Sequence, residues 1–332
     1  MSKRFLAAAC AAATALALSA CSSAPSSEGN ASKDGTLTVM ASFYPLQYLA
    51  EKIGGEHVTV TSLTPAGAEP HDLELSPKTV DALASADAVV YLAGFQAAVD
   101  EAIEQQAPTT VIDVSPVVEL VEANSSANHP SEDEDADEAQ SGESTTEDHA
   151  DHDHEGHHHD MSADPHFWLD PVRMASAATL VGDKLAEADP ANADTYKANA
   201  QALNEELSAL GDDLVAKTAT CQIKTFVTAH TAFGYLADRT GLTQVGISGL
   251  DPDSSPSPAR LAEISQIAKD QGVTTIFTEA LIDPKVAQTL ADDLGISTAV
   301  LDPIESQADS SKDYAAVMKD NINALTTANN CQ

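Results

Sequence analysis

Twice along this chain of 332 residues, short β-branched runs alternate with stretches of helical periodicity. That alternation is the mark of βαβ units, and it commits the chain to parallel sheets flanked by helices. In the first stretch, residues 37–40, 57–63, 88–92 and 110–114 read as strands. Helices fall between them at 46–53, ended by Gly54 and Gly55, at 77–85 and at 99–106. The second stretch reads as strands at 225–228, 243–247, 274–277 and 298–301, with helices at 233–239, 259–269 and 285–294. A last helix covers 314–325.

Residues 191–218 are almost entirely helix-favouring. Tyr196, Leu203, Leu207, Leu210 and Leu214 are spaced by seven, four, three and four, which is a one-sided helical stripe. An unbroken helix there would be about 42 Å long, enough to pass from one lobe to the other. A break at Gly211 into two shorter helices is the alternative. The expected organisation is an N-terminal α/β lobe at 36–190, a connecting helix at 191–219 and a C-terminal α/β lobe at 220–332. A mature chain of this length exceeds one typical core, which also favours two lobes.

Residues 1–20 look like a targeting segment. Lys3 and Arg4 precede an apolar run over 5–17 that is too short for a permanent span. The run ends in Leu18-Ser19-Ala20-Cys21, the form of a bacterial lipobox, in which cleavage leaves Cys21 to carry lipid. An ordinary signal peptide with a chance cysteine is the plainer alternative. The Ser-rich stretch 21–35 then reads as a flexible tether. The mature protein is expected outside the cytoplasm, anchored to the cell membrane without spanning it. Once Cys10 has left with the signal and Cys21 is lipidated, Cys221 and Cys331 remain in an oxidising space, and one disulfide between them is expected.

A net charge of −36 argues against nucleic acid and anionic lipid surfaces as partners and favours cations. Part of that charge is local, since thirteen Asp and Glu lie between His129 and Asp160 with no Lys or Arg. The segment 124–160 is an insertion into the first lobe, with almost no large apolar residue. It is expected to stay disordered, because it cannot bury enough surface to offset its ordering entropy. Its His149, His152, His154, His157, His158 and His159, interleaved with acids, could hold Zn²⁺ loosely for capture or buffering. A solvated acidic loop without a metal role is the alternative.

Outside the insertion stand His57, His71, His166 and His230. Three of them flank strand ends or helix starts: His71 within Ala68-Glu69-Pro70-His71-Asp72, His166 just before a helix, and His230 after Phe226-Val227-Thr228-Ala229. Carboxyl ends of parallel strands face the ligand crevice, and three imidazoles there suit a borderline cation such as Zn²⁺. A histidine beside an apolar strand is also commonly structural, so the residues alone leave both readings open.

From residue 37 to 331, however, the chain resembles the metal-binding receptors of ABC importers, in their zinc-specific branch. The resemblance is carried by Pro70-His71-Asp72 with Ser76-Pro77, by Asp164-Pro165-His166-Phe167-Trp168-Leu169-Asp170-Pro171, and by Ala229-His230-Thr231-Ala232-Phe233-Gly234-Tyr235-Leu236. Phe277-Thr278-Glu279 and Leu301-Asp302-Pro303 add to it. It implies two mostly parallel α/β lobes joined by one rigid helix, with the metal in the cleft between them. His71 and His166 would come from the first lobe and His230 from the second. Relatives differ in the fourth ligand, and the last-strand position, here Asp302, is the one expected. Glu69 is a weaker candidate, because Pro70 stands between it and His71. Glu279 would orient a ligand histidine.

The resemblance further implies a monomeric receptor that binds Zn²⁺ and delivers it to an ABC permease and ATPase. A receptor of the same class taking both manganese and zinc, or a surface lipoprotein for zinc buffering or adhesion, are the alternatives. Catalytic zinc is disfavoured: the sequence holds no HExxH helix and no nucleophile elbow, and no catalytic residue is expected.

Overall fold

The structure is a computed structural model that describes residues 36–122 and 163–332. The targeting segment, the tether with Cys21 and the histidine-rich insertion with His149, His152, His154, His157, His158 and His159 lie outside the described residues. Two parallel four-stranded sheets form the two lobes. The first has the order β2-β1-β3-β4, from β1 (Leu37–Ala41), β2 (Val58–Ser62), β3 (Ala88–Tyr91) and β4 (Val111–Asp113). The second repeats it as β6-β5-β7-β8, from β5 (Thr225–Thr228), β6 (Thr243–Gly246), β7 (Thr275–Thr278) and β8 (Ser297–Val300). In each lobe the first strand pairs in parallel with both the second and the third, so the chain reverses direction across the sheet beside that strand. That switch point opens a crevice at the carboxyl ends.

Local chemistry starts the helices where the sequence asks for them. In α2 (Pro77–Leu83), α4 (Pro171–Ala188) and α7 (Pro258–Asp270), a proline in the first turn follows a capping side chain. Ser76, Asp170 and Ser257 accept from the backbone N–H of Thr79, Val172 and Arg260 respectively. A proline there gives up no hydrogen bond, and the cap satisfies a donor the helix cannot. Helix α1 (Tyr44–Gly54) stops where Gly55 takes a positive φ of 55°.

The lobes are joined by α5 (Ala193–Thr218), a single helix of 26 residues that runs unbroken through Gly211. Its buried face carries Tyr196, Leu203, Leu207, Leu210 and Leu214. Gly182 of α4 lets α5 approach closely, because a Cβ there would come within 2.4 Å of the Ala200 Cβ. The largest core cluster does not belong to either lobe alone. It runs from Val39, Leu46 and Trp168 through α4 and α5 to Phe226, Tyr235 and Tyr314. Smaller clusters fill the outer side of each sheet, around Val89 in the first lobe and Ile276 in the second. The lobes are therefore welded by shared apolar packing as well as by the connecting helix.

Polar ties cross the same seam. Asp170 accepts from Arg239 of α6 (Gly234–Thr240) through both carboxylate oxygens, with Nη2 at 2.7 Å. The Tyr235 hydroxyl donates to the Asp164 carbonyl at 2.6 Å, and Trp168 Nε1 donates to the Pro303 carbonyl at 2.7 Å. Cys221 and Cys331 are bonded to each other, closing a loop of 110 residues between the end of α5 and the C-terminus after α9 (Tyr314–Ala328).

Candidate metal centre

Each polar residue of the centre leaves a strand's carboxyl end or a helix start. His71 lies in the loop between β2 and α2, and His166 precedes the short 3-10 turn Phe167–Leu169 that leads into α4. His230 follows β5, Glu279 follows β7 and Glu305 follows β8. The loops are pinned from behind. Gln96 donates to the Pro70 carbonyl (3.1 Å) and Gln244 to the His230 carbonyl (3.0 Å), and both amides also donate to a buried threonine hydroxyl. Gly246 makes room for the His230 loop, since a Cβ there would meet Thr231 Oγ1 at 2.2 Å.

One carboxylate oxygen organises the three imidazoles. Oε1 of Glu305 lies 3.5 Å from His71 Nε2, 3.1 Å from His166 Nε2 and 3.3 Å from His230 Nε2. The four candidate ligand atoms all lie within 4.8 Å of one another. A tetrahedral Zn²⁺ with bonds of about 2.0–2.1 Å separates its ligand atoms by about 3.3 Å, so the oxygen-to-nitrogen spacings already match the edges of such a shell.

The far sides of two rings are fixed. His166 Nδ1 is 2.7 Å from Asp164 Oδ1, and His230 Nδ1 is 2.6 Å from Glu279 Oε1. A proton held on Nδ1 by these carboxylates leaves Nε2 as the atom facing Glu305, which offers a lone pair to a metal once its own proton is displaced. His71 packs edge-on against Phe95 with centroids 4.9 Å apart, and both its ring nitrogens are buried without a hydrogen-bond partner. Buried polar atoms left without partners are costly and uncommon in a folded protein, and here a cation would supply the missing bonds.

Electrostatics tells the same story. Burial opposes charging His230, but Glu279 and Glu305 outweigh it and push the imidazole up to about 10. For His166 burial again opposes, and Asp164 and Glu305 again win, so its pKa is raised. His71 is lowered, chiefly by burial. Burial would raise Glu305, yet contacts from His166, His230 and His71 hold it well below the usual carboxylate range. Without a cation, protons on the imidazoles stand in for the positive charge that this carboxylate demands.

The cluster differs from the expected ligand set at the fourth position. Asp302 is not in the cluster; Glu305 is. Asn321 grips the Asp302 backbone, accepting from its N–H (2.9 Å) and donating to its carbonyl (2.6 Å). The Asp302 side chain turns back to accept from Ile304 N–H at 2.8 Å. The chain then passes through Ile304 in the left-handed region, φ 57°, and this delivers Glu305 to the imidazoles. A branched residue there costs about 1–2 kcal/mol, and Ile304 is buried against the shared core. Asp-Pro is a turn-forming pair whose carboxylate commonly bonds backbone two residues on, a signal that argued against Asp302 as a ligand. Glu69 likewise spends its carboxylate on His71 N–H (3.0 and 3.2 Å) and stands 3.9 Å from His71 Nε2. Burial and the Glu305 charge push Glu69 up to about 8. His57 sits apart, 6.1 Å from the Tyr196 ring.

Comparison with known proteins bears on this centre. The family described as zinc-uptake complex component A, periplasmic, matches residues 39–328. The chain is 35% identical over 298 residues to the zinc-binding lipoprotein AdcA of Streptococcus pneumoniae, covering 88% of this chain and 56% of that protein. It thus spans about half the length of the AdcA relatives it matches. It is 33% identical over 318 residues to the high-affinity zinc uptake system protein ZnuA of Bacillus subtilis, covering 93% of both. Among solved structures, the laminin-binding protein Lmb of Streptococcus agalactiae, described as bifunctional with adhesin and metal-transporting activity, superposes with a TM-score of 0.73 at 30% identity. That match covers 88% of this chain and 99% of the other.

Proposed function

The chain belongs to the periplasmic zinc-uptake complex component A family, and on that premise we propose that it captures Zn²⁺ outside the cytoplasm and hands it to an ABC permease and its ATPase. The ligands in this reading are His71, His166, His230 and Glu305. One observation carries it: three imidazoles from two lobes converge on a single carboxylate oxygen at 3.1–3.5 Å. Three nitrogens and one carboxylate suit Zn²⁺ better than Mn²⁺, which favours oxygen-rich shells. Side chains take all four positions of a tetrahedral shell, which leaves none for a reacting water. Binding and release of the ion, with no chemical step, is therefore the proposed activity.

Further parts of the reading rest on the sequence. Cleavage before Cys21 and lipidation of its thiol would tether a monomer to the membrane face. Among the described residues, no helix is long and apolar enough to cross a membrane. His149, His152, His154, His157, His158 and His159 would form weaker sites that concentrate Zn²⁺ near the centre. Deleting residues 124–160 should leave one tight zinc and remove the weaker ones.

The test is metal analysis of the purified chain, followed by competition against a chelator of known affinity. One tight Zn²⁺ that Mn²⁺ fails to displace supports the reading. Tight binding retained in His166→Ala refutes the ligand set. The description of the Streptococcus agalactiae neighbour favours adhesion as a second reading, and binding to immobilised laminin would support it.

A further inference from the structure

The four ligands are not equally hidden. The side chains of His166 and His230 are fully buried, whereas His71 and Glu305 retain 6% and 7% exposure. An ion reaching the centre must therefore come from the His71 and Glu305 side. A cavity of about 270 Å³ lies there, lined by Pro70, which adjoins His71, and by Glu305 itself. Its lining includes six acidic residues, Glu69, Asp253, Glu279, Asp283, Asp302 and Glu305, of which Asp283 is paired with Lys285 at 2.6 Å. At the outer end Ala280 is exposed and Leu281 is 47% exposed, so the cavity reaches solvent.

One of these carboxylates faces both ways. Glu305 gives Oε1 to the imidazoles and also lines the cavity. Glu279 gives Oε1 to His230, while its Oε2 is buried without a hydrogen-bond partner. Glu279 as a whole is only 6% exposed.

We infer that this cavity is the route by which Zn²⁺ enters and leaves the centre. The inference rests on the proposed ligand set. A cleft lined by one sign of charge raises the local concentration of counter-ions and speeds their arrival. Hard carboxylate oxygens hold Zn²⁺ more loosely than the three imidazoles beyond them, so the ion is passed inward and not trapped on the way. The lobes, welded through a common core, then need not part for the metal to exchange.

The test is the kinetics of Zn²⁺ exchange in the full chain. Association is followed by stopped flow with Zn²⁺ alone, and release is followed into excess chelator. Ala280→Phe narrows the exposed end of the cavity without altering any charge. It should slow association and release by a similar factor, about tenfold, and leave the dissociation constant unchanged. Wild-type rates in Ala280→Phe would overturn the route. His166→Ala, run alongside, separates the two readings. If it keeps tight zinc, the centre itself is misassigned. If it loses zinc while Ala280→Phe exchanges like wild type, only the route falls.

Discussion

His230 Nδ1 and Glu279 Oε1 stand 2.6 Å apart, both buried, joining the loops after β5 and β7 in the second lobe. The contact fixes the ring so that Nε2 faces Glu305, and the carboxylate makes that nitrogen a better donor to a metal. Outer partners of this kind are worth about 10–100-fold in metal affinity. We therefore expect Glu279→Gln to weaken zinc binding by about tenfold, and Glu279→Ala by more, with stoichiometry preserved. Competition titration reads both, and an unchanged affinity in Glu279→Ala would show that the contact only packs the loop.

Glu305 and Asp302 make opposite predictions. Glu305→Ala removes the proposed fourth ligand and the charge that balances the imidazoles, so the loss should exceed about 100-fold. Asp302→Asn keeps the bond to Ile304 N–H and should cost less than about tenfold in affinity. Equal losses in the two variants would return Asp302 to the ligand set.

Zinc binding should strengthen as pH rises. His230 is pushed up to about 10 and His166 is also raised, so near neutral pH the zinc-free centre holds protons that the metal must expel. The same shifts set the stability of the zinc-free fold. The imidazolium contacts contribute fully below the ordinary histidine value near 6.5 and are lost as pH climbs towards about 10. Glu305, held low, contributes above its ordinary value of 4.5 and ceases to do so as acid titrates it. The rise in melting temperature on adding Zn²⁺ should thus be larger at about pH 8 than at about pH 6. Calorimetry in two buffers of different ionisation enthalpy counts the protons released, and identical heats would contradict their release.

The Cys221–Cys331 bond closes a loop of 110 residues. In the chain-entropy view such a closure contributes about 4–5 kcal/mol, and native disulfides typically about 2–5. Cys221→Ser with Cys331→Ser should lower the melting temperature while leaving zinc affinity close to wild type. The C-terminus has further ties to the start of the second lobe, including Asn330 to Gln222 and the Ile223 N–H to the Asn329 carbonyl. The protein should therefore remain folded at room temperature. Free thiols in denatured, unreduced protein would contradict the bond.

Much of this was written in the chain itself. Alternating β-branched and helical segments have only one stable arrangement, a parallel sheet covered by helices, and both sheets follow it. The stripe of Tyr196, Leu203, Leu207, Leu210 and Leu214 sufficed for the connecting helix, because a one-sided apolar face needs no knowledge of its partner. His71 and His230 at strand ends and His166 at a helix start stood out as candidates, but the residues alone left a structural reading open, and the resemblance carried the choice. The fourth ligand was different. Asp302 and Glu305 are three residues apart in one loop, and both are carboxylates that could reach a cation. Asn321, nineteen residues further on, holds the backbone at Asp302, and the buried left-handed turn at Ile304 swings Glu305 inward. The sequence placed a carboxylate after the last strand. Which one faces the imidazoles was decided by a hydrogen bond and a turn that exist only once α9 has packed against the loop.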